Sequence, residues 1–310
     1  MSLADYTTHS PYSTPGELAH LYEGLPRDPA RLARLVRDLL IHRGEGPLFS
    51  YEIPETRLHD DAETRYVDGI LEILAARSES PLSEPRPPAT RFVGVCRDFA
   101  LLHCSLLRHT GTPARIRSGF ADYFATDGFH GDHVVTEYWD ASRSAWRLAD
   151  AQLTDPEITR HWNAAFDPTD VPRTRFRTAA QAWRMIREQG ADHREFGLHT
   201  PDEGPLWGER FVAGNVRLDL AALNKVETLL WDVWGADHTG TGHQDAARQD
   251  QTLDAEARAL YDRAAAVISA DEIPYAEARA LFTEDDTLRT PDTVLCLAPY
   301  NGPSLVTLRS

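Results

Sequence analysis

The sequence predicts an α+β fold, and three observations predict it. Apolar residues recur at helical spacing before residue 80, a glycine-x-cysteine step near residue 95 opens a further helix, and period-two alternation with a hairpin signal runs from Thr112 to Asp150. The expected core is a helix that begins at Cys96 and packs on an antiparallel β-sheet, with helical additions before and after it.

The elements follow in chain order. Asp28-Pro29 is a helix start, and Leu32, Leu35, Val36, Leu39 and Leu40 continue it on one face. A second helix is expected from about Asp61 to Arg77, with Tyr66, Val67, Ile70, Leu71 and Leu74 inward. Ser78 to Pro88 holds four prolines and reads as a linker. Val95 to His109 is a helix that stops before Gly111, a suitable C-terminal cap. Thr112 to Phe120 alternates, with Ala114, Ile116, Ser118 and Phe120 on one face. Gly128 to Asp132 reads as a loop. His133 to Trp139 and Ser144 to Asp150 form a hairpin. Residues 156–235 read as mainly helical, with core candidates Trp162, Phe166, Trp183, Met185 and Ile186 and a helix over Leu218 to Trp234. His238 to Asp245 reads as a loop, Ala255 to Ala266 as a helix, and Thr293 to Leu297 as a short strand. The domain expectation is a helical region over 1–90, a catalytic core over 91–160 and a mainly helical region over 161–310 packed on that core.

The 310 residues are 42% apolar and 26% charged, an ordinary globular composition that leaves room for a sizeable core. The net charge of −16 repels phosphate backbones and anionic lipid surfaces, so neither nucleic acid nor membrane is an expected partner. No run approaches the ~18 apolar residues of a spanning helix. The opening Met1-Ser2-Leu3-Ala4-Asp5-Tyr6 has no basic region followed by an apolar run, so no secretory signal is expected. Three cysteines without paired spacing, Cys96, Cys104 and Cys296, suit free thiols in a reducing compartment, and the expected location is cytoplasmic. Phosphate-binding glycine loops, a GxSxG elbow, CxxC and HExxH are all missing from the sequence. No cofactor and no metal is expected.

The chemistry gathers in Gly94-Val95-Cys96-Arg97-Asp98. A helix N-terminus carries roughly +0.5 charge, which favours a thiolate over a thiol, and its N–H groups can receive the oxyanion of a tetrahedral intermediate. The ordinary alternative is a small buried hydrophobe. The hairpin adds a base and its orienter. With Asp140 to Arg143 as the turn, Trp139 faces Ser144 and His133 faces Asp150. A carboxylate beside a histidine fixes its tautomer and supports the imidazolium.

These residues resemble the transglutaminase-like superfamily of cysteine enzymes. The resemblance lies in GVCRDFALLHCSLLRHTGTPARIRSGF (94–120), GDHVVTEYWD (131–140) and WRLADAQ (146–152), about a fifth of the chain. It implies a transglutaminase-like, papain-like core with Cys96 as nucleophile, His133 as general base and acid, and Asp150 as orienter. The implied activity is acyl transfer through a thioester acyl-enzyme, from an amide, ester or thioester donor to water or an amine. A peptide, a protein or a small molecule would supply the acyl group. Two alternatives stand beside it: a biosynthetic amide-forming acyltransferase using a carrier-bound or small-molecule donor, and a catalytically silent binding module. Many members of the family place a tryptophan before the cysteine to hold the oxyanion. Here the first tryptophan is Trp139, and Tyr51 and Tyr66 are the substitutes, each also a candidate for core packing.

Four further features have competing readings. His130-x-x-His133 lacks a third metal ligand at a set spacing. Cys104, about 80° around the helix from Cys96, reads as core, with a resolving thiol as the alternative. Arg97 and Asp98 read either as a solvated first-turn pair or as shapers of the site. Lys225, the only lysine, reads as part of a polar helix face, with a site role as the alternative.

Overall fold

The computed structural model describes residues 2–125, 128–200, 204–235, 252–270 and 272–309. It is an α+β chain with two compact units. The first holds residues 2–116 and 135–172, the second 117–134 and the chain from 173 onward. Strands β3 (Ala114–Ala121) and β4 (His130–Asp140) each contribute residues to both.

Helix α1 (Pro29–Leu39) opens the first unit's core. Asp28 caps it by accepting from Arg31 N at 2.9 Å, and Pro29 takes the first helical position, where its missing N–H costs nothing. The expected helix loses its last residue, because Leu40 turns extended and starts β1 (Leu40–His42). That strand pairs in parallel with β2 (Phe92–Gly94), setting Leu40 against Phe92 and His42 against Gly94. The helix expected over 61–77 forms only from Val67, as α3 (Val67–Arg77) with Tyr66 at its N-cap, and a separate short helix, α2 (Glu55–Asp60), lies before it. Helix α4 (Cys96–His109) follows β2 directly and ends at Thr110, before Gly111 at φ +85°.

The hairpin forms with a shifted register. Strand β5 (Ala145–Ala149) pairs antiparallel with β4, setting Trp139 against Trp146 and Thr136 against Ala149. The turn is residues 141–144, one later than expected. Asp140 holds it by accepting from Ser142 N, Ser142 Oγ and Arg143 N, and Ser144 closes it at φ +49°. A turn displaced by one moves the pairing by two, so alternation keeps its face while direct opposition changes. The continued register carries Asp150 to Val135 rather than to His133.

In the second unit β3 pairs antiparallel with β6 (Phe176–Thr178), β4 pairs in parallel with β7 (Phe196–Thr200), and β7 pairs antiparallel with β8 (Gly204–Trp207). The sheet is therefore mixed, with one parallel pair in a largely antiparallel set. His130 belongs to β4 rather than to the expected loop because it faces Phe196 in that parallel pair. Helix α5 (Pro156–His161) belongs to the first unit, and helices α6 (Ala179–Gln189) and α7 (Glu209–Leu223) follow in the second. So do α8 (Ala255–Ile268) and α9 (Tyr275–Glu284). They bury Trp183, Val212, Val216, Leu220, Tyr261 and Ala264 in one core. Thr178 and Gln181 cap α6 reciprocally, and Gly190 ends it at φ +72°. The helix expected over 218–234 runs earlier. It ends at Asn224, where Lys225 turns left-handed at φ +65° and Val226 N reaches Ala221 O at 2.9 Å. Residues 232–233 then form β9, which joins β10 (Thr293–Cys296) and β11 (Ser304–Thr307). The expected loop over 238–245 lies outside the described residues. Among the described residues no helix is long and apolar enough to cross a membrane.

Candidate active site

Cys96 is the first residue of α4 and is 6% exposed. The step before it needs a glycine. A Cβ on Gly94 would lie 2.8 Å from Asp98 Oδ2 and 3.0 Å from Phe92 Cε1. That crowding comes from Asp98, whose carboxylate reaches back to accept from Val95 N at 2.9 Å, so the chain enters the helix at a fixed angle. Arg97 pairs with Asp98 at 3.0 Å and donates to Arg65 O at 2.6 Å. Neither residue is a solvated first-turn charge, since both are buried. Burial pushes the Asp98 carboxyl up, against the pull of Arg97. In the same unit Thr136 of β4 donates to Ala100 O at 3.0 Å, so the cysteine helix sits on a strand.

Asp150 follows β5 and caps a short 3-10 turn, Ala151–Thr154. Its Oδ1 accepts from Gln152 N at 3.0 Å, and its own N–H donates to Pro168 O at 2.7 Å. Gln152 is itself held, its Nε2 donating to Glu45 Oε1 at 2.9 Å. Helix α4 packs on this turn, so the first unit brings the helix of Cys96 and the turn of Asp150 together.

His133, in the second unit, is buried among aromatic rings. Its ring centroid lies 4.7 Å from Phe124, 5.9 Å from Tyr123 and 6.4 Å from Phe176, each near edge-to-face. The neighbouring Asp132 turns to the other face of β4. Burial pushes its carboxyl up to about 7, opposed by the nearby charge of His133 and a hydrogen bond from Asn215. His130 shares the Asp132 face and stacks on Phe196 at 4.9 Å. Three residues apart on one strand, His130 and His133 point to opposite faces and cannot share a metal ion. Among the described residues no group of three or more His, Cys, Asp or Glu side chains could hold one.

The remaining candidates take packing positions. Tyr51 OH accepts from Arg57 Nη1 at 2.8 Å, and Tyr66 stacks on Tyr12 at 5.3 Å. Cys104 and Cys296 are fully buried, whereas Lys225 lies just past the end of α7 rather than on a helix face. Glu45 escaped the sequence reading. It sits in Gly44-Glu45-Gly46, which reads as a turn, and nothing in its spacing marks a partner more than a hundred residues away.

Residues 62–151 match the family model described as the transglutaminase-like superfamily. That span, which holds Cys96, His133 and Asp150, is a transglutaminase-like region. No curated protein matches the chain. A crystal structure of "a Putative Cysteine Protease from Cytophaga hutchinsonii" is similar over 48% of this chain at 17% identity, with a TM-score of 0.32. The chain spans about two fifths (42%) of that protein.

Proposed function

We propose that the chain is a cysteine-dependent acyl-transfer enzyme. Cys96 is the nucleophile, His133 the general base and acid, and Asp150 the group that orients His133. His133 takes the Cys96 thiol proton, the sulfur attacks the carbonyl carbon of an amide, ester or thioester, and the carbonyl electron pair moves onto the oxygen. The Cys96 N–H, at the positive end of α4, receives that oxyanion. As the tetrahedral intermediate collapses, the bond to the leaving group breaks, His133 gives that group its proton, and a thioester remains on Cys96. Water or an amine, deprotonated by His133, then attacks the thioester carbon; the carbon–sulfur bond breaks, the acyl group leaves on the acceptor, and Cys96 is released as the thiolate beside the protonated His133. The observation that carries this reading is the placement of Cys96 at the first position of α4, two residues after a glycine whose Cβ position is crowded by Asp98 and Phe92, inside the superfamily match.

Intact-protein mass spectrometry against a panel of amide, ester and thioester donors tests it. The wild type should gain the mass of the acyl group. Cys96→Ser should not, and a persistent gain in that variant moves the nucleophile elsewhere. Alkylation by iodoacetamide adds a second arm. Cys104 and Cys296 are fully buried, so a faster rate at Cys96 could reflect access alone. The discriminating comparison is Cys96 in the wild type against Cys96 in His133→Ala. An unchanged rate there removes His133 from the mechanism.

A further inference from the structure

The carboxylate of Glu45, 2% exposed, is fully engaged. Its Oε2 accepts from Arg37 Nη1 at 2.6 Å and from His42 N at 3.2 Å, while its Oε1 accepts from Gln152 Nε2 at 2.9 Å. Arg37 also reaches Gln152 O at 3.4 Å, and its guanidinium lies over the rings of Phe49 at 4.9 Å and Phe99 at 5.3 Å. Phe99 is on α4, one turn after Cys96. His42 is the residue set against Gly94 in the β1–β2 pair that leads into Cys96. Gln152, gripped at its side chain and its carbonyl, gives its own N–H to the Asp150 carboxylate at 3.0 Å. One buried ion pair therefore touches β1, the strand paired with the one that leads into the cysteine, the helix that carries the cysteine and the turn that carries the aspartate.

We propose that Glu45, paired with Arg37, is a positioning residue that fixes the Asp150 carboxylate through Gln152 and seats it against the helix of Cys96. The inference rests on the reading of Cys96, His133 and Asp150 as the catalytic set. Burying an ion pair seldom adds stability over an apolar replacement, so holding geometry is the role left for this one. Glu45 is suited to that task because its two oxygens have different clients. Its loop is also tight: a Cβ on Gly46 would lie 2.5 Å from Tyr51 O.

The test uses the full chain and iodoacetamide, following Cys96 alkylation by peptide mass as a function of pH. A firmly held Asp150 supports the imidazolium, and the imidazolium supports the thiolate. Loosening Asp150 therefore raises the pH at which Cys96 becomes reactive. Asp150→Asn should move the midpoint upward. Gln152→Met and Glu45→Gln should move it the same way by about half a pH unit, a roughly threefold slower reaction below the midpoint. Gln152→Met should add nothing in the Asp150→Asn background. A general loss of stability would not move this midpoint. Should Glu45→Gln fail to fold, Gln152→Met, which leaves the ion pair intact, carries the test. Gln152→Met superimposing on the wild type while Asp150→Asn shifts overturns the positioning role alone. A silent Asp150→Asn overturns the catalytic reading and the positioning role with it.

Discussion

His103 ties the stability of the cysteine helix to pH. It lies seven residues after Cys96, fully buried, with Nε2 donating to Pro29 O of α1 at 3.1 Å. Burial pulls its ring down from the usual 6.5 to about 4, only partly offset by that hydrogen bond. Above about pH 6.5 the ring is neutral in folded and unfolded chains alike, and the full stability is present. As the pH falls toward 4 the unfolded chain takes up the proton and the folded one does not, so stability is lost. The whole window is worth about 3 kcal/mol, and by about pH 5 the loss is about 2 kcal/mol. His103→Gln removes the titration and keeps an amide donor for Pro29 O. Urea unfolding of both proteins at about pH 7 and about pH 5 gives the comparison. Other groups titrate in this window, so the quantity to read is the difference between the proteins. The wild type should lose about 2 kcal/mol more than the variant on acidification. Parallel losses would show that the folded ring accepts a proton as readily as the unfolded one, and the argument from burial would fail.

Four further perturbations follow from particular contacts. Gly94→Ala drives a methyl group against Asp98 and Phe92 and should cost about 1–3 kcal/mol in urea unfolding, with less than about 0.5 contradicting the packing at the cysteine step. Asp219→Ala strips the partner from buried Arg117, which now makes two 2.9 Å bonds to that carboxylate, and should cost about 3–5 kcal/mol; a change near zero would mean the charge finds solvent. Ser144→Gly relieves a left-handed residue at φ +49° and should raise stability by about 0.5–1 kcal/mol, whereas a drop would show the serine side chain to matter in the turn. Asp132 is held up at about 7 against an unfolded value of 3.8, so its contribution is lost as pH rises through that interval. The stability of Asp132→Asn relative to the wild type should therefore climb from about pH 4 to about pH 7, and a flat difference would contradict burial as the cause.

Local rules carried the sequence reading wherever one signal decided the element. Asp28-Pro29 started α1, and Gly111 stopped α4. The reading failed where distant partners decided. Leu40 continues a perfect helical stripe but becomes a strand because Phe92 is there to pair with it. His130 looked like loop until Phe196 supplied a parallel neighbour, and the stripe from Leu218 to Trp234 hid the end of α7 because Lys225 is not a residue type that announces a left-handed cap. The hairpin error is of another kind. The sequence pattern places the turn at 140–143, one position early, because Asp140 pairs with Ala145 as the last residue of β4 instead of opening the turn. Period-two alternation absorbed that error without moving a side chain to the wrong face.

The buried arginines give the one-sided basic composition a physical content. Lys225 is the only lysine, and coding bias would account for that on a surface. It does not account for Arg37, Arg97, Arg115 and Arg117, each almost completely buried and each paired with a carboxylate. A lysine in those places could shed its proton to escape desolvation, and the pair would dissolve, whereas an arginine cannot. Arg117 also uses two nitrogens on Asp219, which a lysine's single ammonium cannot copy. The pairs lie where direction matters: Arg97 at the first turn of the cysteine helix, Arg37 behind the Asp150 turn, and Arg115 and Arg117 along β3. Replacing one pair by apolar side chains of equal volume should leave stability nearly unchanged. If the pairs exist to aim backbone and side chains, such a replacement at Arg37 and Glu45 should slow the reaction proposed for Cys96 while the protein still unfolds at its wild-type urea concentration.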